Sequence, residues 1–408
     1  MERLTKYALF DILQRGRVEF PLSCYFGMER VNDMAKKEQK DAFVRLRHVT
    51  IVLLVLALLA GGGFVLTRDY VNQAVLTRQE EIDAQNEELT EQYQQRLAEQ
   101  NQKEEQGENI QWPEAKQEGW DIVDVSAFAL TGTTGKTYSR QDLLDGGLML
   151  VNRWHSLPSD FTEDSIVSVG GESKYTIPVT DSTVQLNINA YNALSEMLTA
   201  AKDAGFENYL IQEGYRTNEK QTEYFNNEKA KWESKYTGDA LIEKARQNTN
   251  VPGTSEYQTG FSFKIKRWKK GDTEFNKPAF EETEHFAWLM EHAWEYGFVF
   301  RFELDGYPTA TSTDKSWKTG ESKKLMLFRY VGKAAAAVMH QEDMCLEEFI
   351  EYMIDHPHIA VYENGTLRYE LNRVTDTGTS MTLDVVSRAT DTQVSIDNMG
   401  GVIVAMSY

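Results

Sequence analysis

The stretch Val251–Ile265, VPGTSEYQTGFSFKI, decides the fold. It opens on a Pro-Gly pair, runs through polar residues to Gly260, and then enters the β-type run FSFKI. Gly253 and Gly260 are turn residues by composition, and a Ser255 or Gln258 side chain can cap a backbone group in the loop between them. The expectation is a tight loop feeding a strand.

Working outward, NYLIQ, GFVFRF and LFRYV are further short β-type runs, separated by helical stretches such as FAWLMEHAWEYG. Upstream, NINAYNALSEMLTAAKDAG puts Tyr191, Leu194, Met197, Leu198 and Ala201 on one helical face and ends at Gly205. Helices and strands mix without strict βαβ alternation. This predicts an α+β domain over 119–358, with a small, mostly antiparallel sheet flanked by helices. After Pro357 the runs IAVYE, TLRYEL, MTLDVV and GVIVAMSY, broken by Asn-Gly, Thr-Gly and Gly-Gly turns, predict a small β appendage over 359–408.

The 408 residues are 41% hydrophobic and 26% charged, with room for more than one domain, and the formal net charge of −20 excludes a phosphate-binding surface for nucleic acid. Thr50–Leu66 is a run of apolar and small residues without a charge, near the lower limit for crossing about 30 Å of hydrocarbon. Residues 48–67 are therefore expected to be a transmembrane signal anchor, uncleaved because no small-x-small pattern closes them. Lys36, Lys37, Lys40, Arg45 and Arg47 crowd the N-terminal flank, which places 1–47 in the cytoplasm and the rest outside. Residues 68–118, rich in Glu, Gln and Asn, read as a solvated spacer. A weakly paired helical stalk is the alternative, since Val75, Ile82 and Leu89 recur at sevens. Cys24 and Cys345 would lie on opposite sides of the membrane, so no disulfide and no thiolate cluster is expected.

Five collinear blocks resemble the VanY-type D-alanyl-D-alanine carboxypeptidases, zinc enzymes that trim the stem peptide of bacterial walls. They are LMLVNRWHSLPSDF (Leu148–Phe161), QEGYRTNEKQ (Gln212–Gln221), PGTSEYQTG, HAWEYGFVFRF and FRYVGKAAA. The resemblance implies that Arg216 holds substrate and that Ser255 and Gln258 line the same cleft. It places the cell-envelope side of a bacterium outside the anchor. It also locates the zinc ligands, a His and an Asp seven residues later, at Tyr257 and Lys264. A further His ligand falls at Leu327 and the general-base Glu at Lys324.

All four positions have lost the family's chemistry. Zinc needs three protein donors and an open position. A tyrosine serves only if its phenol, near pKa 10, is driven down by a cation; leucine offers nothing, and a protonated lysine has no lone pair. Without zinc no water is acidified and no carbonyl polarised, and without a carboxylate at 324 nothing accepts the water's proton. His285 and His292 stand two helical turns apart, nearly 11 Å, too far to share an ion; His356 and His358 flank a turn beside Asp355. No cofactor is expected.

The leading expectation is a membrane-anchored, non-catalytic relative that binds wall peptide or scaffolds envelope proteins. Lys264 and Lys324 would join Arg216 in a cationic pocket for a peptide carboxylate, unless the lysines turn out to solvent. Two other readings stay open: an active carboxypeptidase with an unconventional site, and an interaction protein acting through residues 1–47 or the β tail.

Overall fold

The computed structural model describes residues 112–170 and 177–408, with two isolated residues, Glu91 and Gln95. The expected cytoplasmic segment, the transmembrane span and nearly all of the spacer lie outside the described residues. Among the described residues no helix is long and apolar enough to cross a membrane.

Among the described residues thirteen strands run in chain order: β1 Trp120–Asp124, β2 Thr133–Tyr138, β3 Ile166–Ser168, β4 Gln185–Asn187, β5 Tyr209–Glu213, β6 Ser262–Arg267, β7 Phe298–Phe300, β8 Leu327–Tyr330, β9 His358–Glu363, β10 Thr366–Thr375, β11 Met381–Val386, β12 Asp391–Ile396 and β13 Gly401–Ser407. The helices are α1 Arg140–Leu144, α2 Ile188–Asp203, α3 Asn218–Ala230, α4 Gly238–Arg246, α5 Thr273–Asn276, α6 Glu284–His292, α7 Ser316–Thr319, α8 Lys333–Gln341 and α9 Leu346–Asp355. All named strand pairs are antiparallel. The mixed helix–strand class with antiparallel sheets is as expected.

The four β-type runs of the middle of the chain form one sheet, in the order β5-β6-β8-β7. Helix α2 starts at Asn187, whose side chain caps the Asn189 N–H, and ends just before Gly205 at φ +94. Its face of Leu194, Met197 and Ala201 packs with Ile211, Phe263, Ile265, Leu289, Phe298 and Phe328 into the sheet's core. Because side chains alternate along a strand, Phe263 and Phe328, paired in the β6–β8 ladder, face that core. The next pair, Lys264 opposite Leu327, faces the other way, over the cleft.

The C-terminal strands do not stand apart at residue 358. Strand β9 pairs with β1, and β11 with β2, so both halves of the described chain enter the same structure. The five-stranded sheet, ordered β1-β9-β10-β13-β12, lays Ile359, Val361, Leu371 and Ile403 against α8 and α9. Helix α9 is anchored into the core by Leu346, Phe349, Ile350 and Met353, all fully buried or nearly so.

Candidate functional site

The loop quoted at the outset folds as a 3-10 turn, Glu256–Thr259, closed by Gly260 at φ +76. A Cβ on Gly260 would sit 2.5 Å from Ile166 Cδ1, so glycine is required both for the conformation and for the approach of β3. Gln258 closes the loop: its Oε1 accepts the Gly253 N–H at 2.7 Å and its Nε2 donates to Asn218 Oδ1 at 3.3 Å. Ser255 is buried, and its carbonyl accepts the Gln258 N–H. Gln258 thus takes the capping role its chemistry allowed, while the Ser255 side chain makes no cap hydrogen bond.

Beneath the loop lies a buried ionic network. Glu256 accepts from Arg329 Nη1 and from Ser262 Oγ. Its Oε2 faces Arg301 Nε at 3.3 Å without hydrogen-bond alignment. Arg301 donates through both Nη atoms to Glu347, at 2.8 and 2.9 Å, and Asn152 adds a third hydrogen bond to that carboxylate at 3.0 Å. Arg329 spends its remaining donors on the Gly147, Met149 and Tyr330 carbonyls and on Thr259 Oγ1. Burial pushes the Glu347 carboxyl up, but the Arg301 charge and these hydrogen bonds outweigh it and hold it below the ordinary carboxylate range. Two guanidinium groups and two carboxylates thus balance inside the protein. This network was not foreseen, because each of its members reads as a surface residue by type.

Directly over it, the structure brings three of the four altered positions together. Tyr257 and Leu327 pack with Phe302 and Leu325 in one apolar cluster, and Lys264 stands opposite Leu327 in the ladder. The fourth, Lys324, is exposed, with its ammonium 5.2 Å from the centroid of the Tyr307 ring. Arg216 reaches the same cleft, its guanidinium carbon 3.8 Å from the Tyr257 ring centroid and 5.0 Å from that of Tyr224. Glu213 Oε1 accepts from its Nε and lies 2.6 Å from Nη2, while Gln221 Oε1 accepts from Nη1 at 3.1 Å.

The pocket of three free cations drawn from charge counting is therefore corrected. Arg216 is paired with Glu213, and Lys324 lies out at the surface. Neither Lys264 nor Lys324 makes an ion pair among the described residues; of these two, Lys264 is the half-buried one, in the cleft. The signal for the correction was present in Glu213, an acid three residues before Arg216, but counting only the positions matched to zinc ligands passed over it.

Do these side chains fit a zinc ion? Burial pushes the Tyr257 hydroxyl up, and the nearby Glu213 carboxylate adds to this against the opposing pull of Arg216. The guanidinium sits over the ring face, where its charge favours the phenolate, but burial outweighs that pull and the phenol keeps its proton. Leu327 is fully buried and has no donor atom. The residues at these positions do not fit zinc. The histidines considered as substitutes are engaged one by one: His285 with the Glu207 carbonyl, His292 with Glu295, His356 with Asp124, and His358 with Glu370 and the Phe128 carbonyl.

With this geometry in place, the likeness to known proteins has a site to refer to. The sequence profile of the D-alanyl-D-alanine carboxypeptidases (VanY) matches residues 183–319, a span that holds Arg216, Tyr257 and Lys264. The putative carboxypeptidase YodJ of Bacillus subtilis is 30% identical over 204 residues, 50% of this chain and 67% of that protein. The D-alanyl-D-alanine carboxypeptidase of Enterococcus faecium is 25% identical over 242 residues, 59% of this chain and 68% of that protein. Among solved structures, the vancomycin-resistance D,D-dipeptidase VanXYg covers 68% of this chain and 99% of its own, at 20% identity and a TM-score of 0.50, a likeness of fold. By these measures, and with its blocks in the family's order, the chain belongs to the VanY D-alanyl-D-alanine carboxypeptidase family.

Proposed function

We propose that this chain is a zinc-free member of the family, anchored in the membrane by residues 48–67, whose outer domain binds the end of a wall stem peptide without cleaving it. The observation that carries the reading is the contact of Tyr257 and Leu327 with Phe302 and Leu325, a closed apolar cluster where the metal's donors would stand. Burying a leucine there contributes roughly 1.5–3 kcal/mol, so the cluster stabilises the fold at the positions where donors have been lost. Nothing at position 324 takes a proton from water, because Lys324 is a cation lying over Tyr307. The relatives named for D-alanyl-D-alanine cleavage support a peptide of that type as the ligand class. Facing the wall from a single anchor, with the N-terminus in the cytoplasm, is the placement that suits it.

The test uses the full chain purified in detergent. Plasma mass spectrometry should find zinc far below one per chain, and incubation with a pentapeptide ending in D-Ala-D-Ala should release no D-alanine. Saturable shifts on titrating that peptide should accompany both results. One firmly held zinc per chain together with release of D-alanine would establish the active enzyme instead. Protease treatment of intact and opened cells carrying a C-terminal tag reads the placement.

A further inference from the structure

The Arg216 guanidinium is already held by its own chain. Glu213 takes Nε and Nη2 through one oxygen, each at 2.6 Å, and Gln221 takes Nη1 at 3.1 Å. Gln221 is itself fixed, being fully buried with its amide nitrogen donating to the Asn250 carbonyl at 2.6 Å. The cation also lies over the rings of Tyr257 and Tyr224. The planar fork of an arginine matches a carboxylate, and here the carboxylate it holds comes from the same strand end.

Across the ladder, the residue registered opposite Glu213 is Lys264, just beyond the irregularity that follows Ile211. Opposite neighbours in an antiparallel pair have Cβ atoms about 5 Å apart, within reach of a flexible Glu–Lys pair. Lys264 is half-buried and makes no ion pair among the described residues. Glu213 thus has one cation in hand and a second within a rotamer change.

We propose that Glu213 is an internal competitor for ligand. A carboxylate ligand reaches Arg216 by displacing Glu213, which then pairs with Lys264. Without ligand the charges do not balance. In the closed state Arg216 and Glu213 cancel and Lys264 is left over at +1. With a ligand carboxylate on Arg216 and Glu213 on Lys264, the group sums to zero. A ligand with a free carboxylate satisfies the cleft; an amide or ester leaves Lys264 unpaired. This rests on the reading above that the cleft takes a peptide terminus, and it names the residue that sets the threshold for entry.

The experiment titrates the full-length chain in detergent with N-acetylated Lys-D-Ala-D-Ala as the free acid and as its C-terminal amide, by calorimetry or protein-detected NMR. Glu213→Gln removes the competing charge and keeps the shape. It should tighten the acid about tenfold or more and leave the amide unchanged. Lys264→Met should weaken the acid by a similar factor in the wild-type background. In the Glu213→Gln background it should have little effect, because no displaced carboxylate then needs a partner. That coupling separates the exchange from direct contact of Lys264 with the ligand, which would cost the same in both backgrounds and would overturn the proposal. Unchanged acid affinity in Glu213→Gln overturns it as well, while leaving peptide binding itself intact. If neither wild type nor Glu213→Gln binds the acid, the competitor and the peptide-binding reading fall together, and the zinc measurement still stands by itself. Glu213→Ser, with a melting curve for each variant, guards against a defect in folding.

Discussion

The pair Arg301–Glu347 offers a measurement whose outcome is set by the geometry. Glu347→Leu removes the carboxylate that holds both Nη atoms of a guanidinium that is 1% exposed. The remaining acid, Glu256, faces only Nε, at 3.3 Å and out of alignment, and it already serves Arg329. A buried charge would be left without its partner, and Asn152 would lose its acceptor. Breaking a buried pair from one side costs about 3–5 kcal/mol, a large share of the 5–15 kcal/mol typical of a folded domain.

The double variant Arg301→Met/Glu347→Leu should lose less than Glu347→Leu alone. It removes one charge of each sign, leaves Arg329 and Glu256 balanced, and fills the space with apolar atoms. Equilibrium urea unfolding of the four proteins in the cycle reads the coupling. A single variant within about 1 kcal/mol of wild type, or a double variant as unstable as the two singles summed, would refute the account of these four residues as one neutral unit. The pH dependence supplies a second check. Glu347 is held below the ordinary carboxylate range when folded, so its contribution is present above that range and is lost as pH falls through the folded value. Glu347→Leu should therefore flatten the acid limb of the stability curve.

Other outcomes follow from the same reasoning. Leu327→His, which restores one donor to the cleft, should cost roughly 2–4 kcal/mol in a urea melt, because an imidazole enters the apolar cluster of Tyr257, Phe302 and Leu325. Zinc should not raise the melting temperature of that variant, since one donor does not hold the ion. Glu303 is pushed up by burial and by the neighbouring Asp343, so its charged form opposes folding at neutral pH. Glu303→Gln should raise the urea midpoint at pH 7, with the gain shrinking as acid protonates the wild-type carboxyl. Burial also pushes Glu370 up, but hydrogen bonds from His358 and Tyr408 outweigh it and leave it lowered. Glu370→Gln should lower the urea midpoint at pH 7 and lose that difference as pH falls below the carboxylate range.

The middle of the fold was legible because its signals are local. Helix α2 carries its apolar face and its terminal glycine in one stretch, and the four β-type runs each contain aromatic or branched residues that fit a half-buried surface. The pairing of the C-terminal strands was not legible. Strand β2, TTGKTY, is polar and contains a glycine, so nothing in its sequence marks it as the partner of β11 some 250 residues away, as in the Thr137–Thr382 hydrogen bond where |i−j| is 245. In the site, Tyr257, Lys264 and Leu327 come together on segments whose register the turn glycines and the FRYVG block mark in the sequence. Their charge environment was not legible. Side-chain direction at Lys324 depends on an irregular segment without periodicity, and the Glu213–Arg216 pair depends on a strand end whose side chains no alternation rule orders.

The adjacency of Glu256 and Tyr257 explains how such a site can change its lining and keep its shape. Glu256 is drawn down into the ionic network with Arg329 and Arg301, and this contact holds the 3-10 turn against β7 and β8 whatever occupies the cleft. Tyr257, one residue on, contributes to the cleft above and is free of that duty. A fold whose metal loop is fixed from below does not need the ion to order it, so donors can be exchanged for apolar groups one at a time without the loop collapsing. The same separation means that restoring donors above would leave the anchoring contacts below untouched. The obstacle to a metal is thus confined to Tyr257, Lys264, Leu327 and the packing of Phe302 and Leu325 against them.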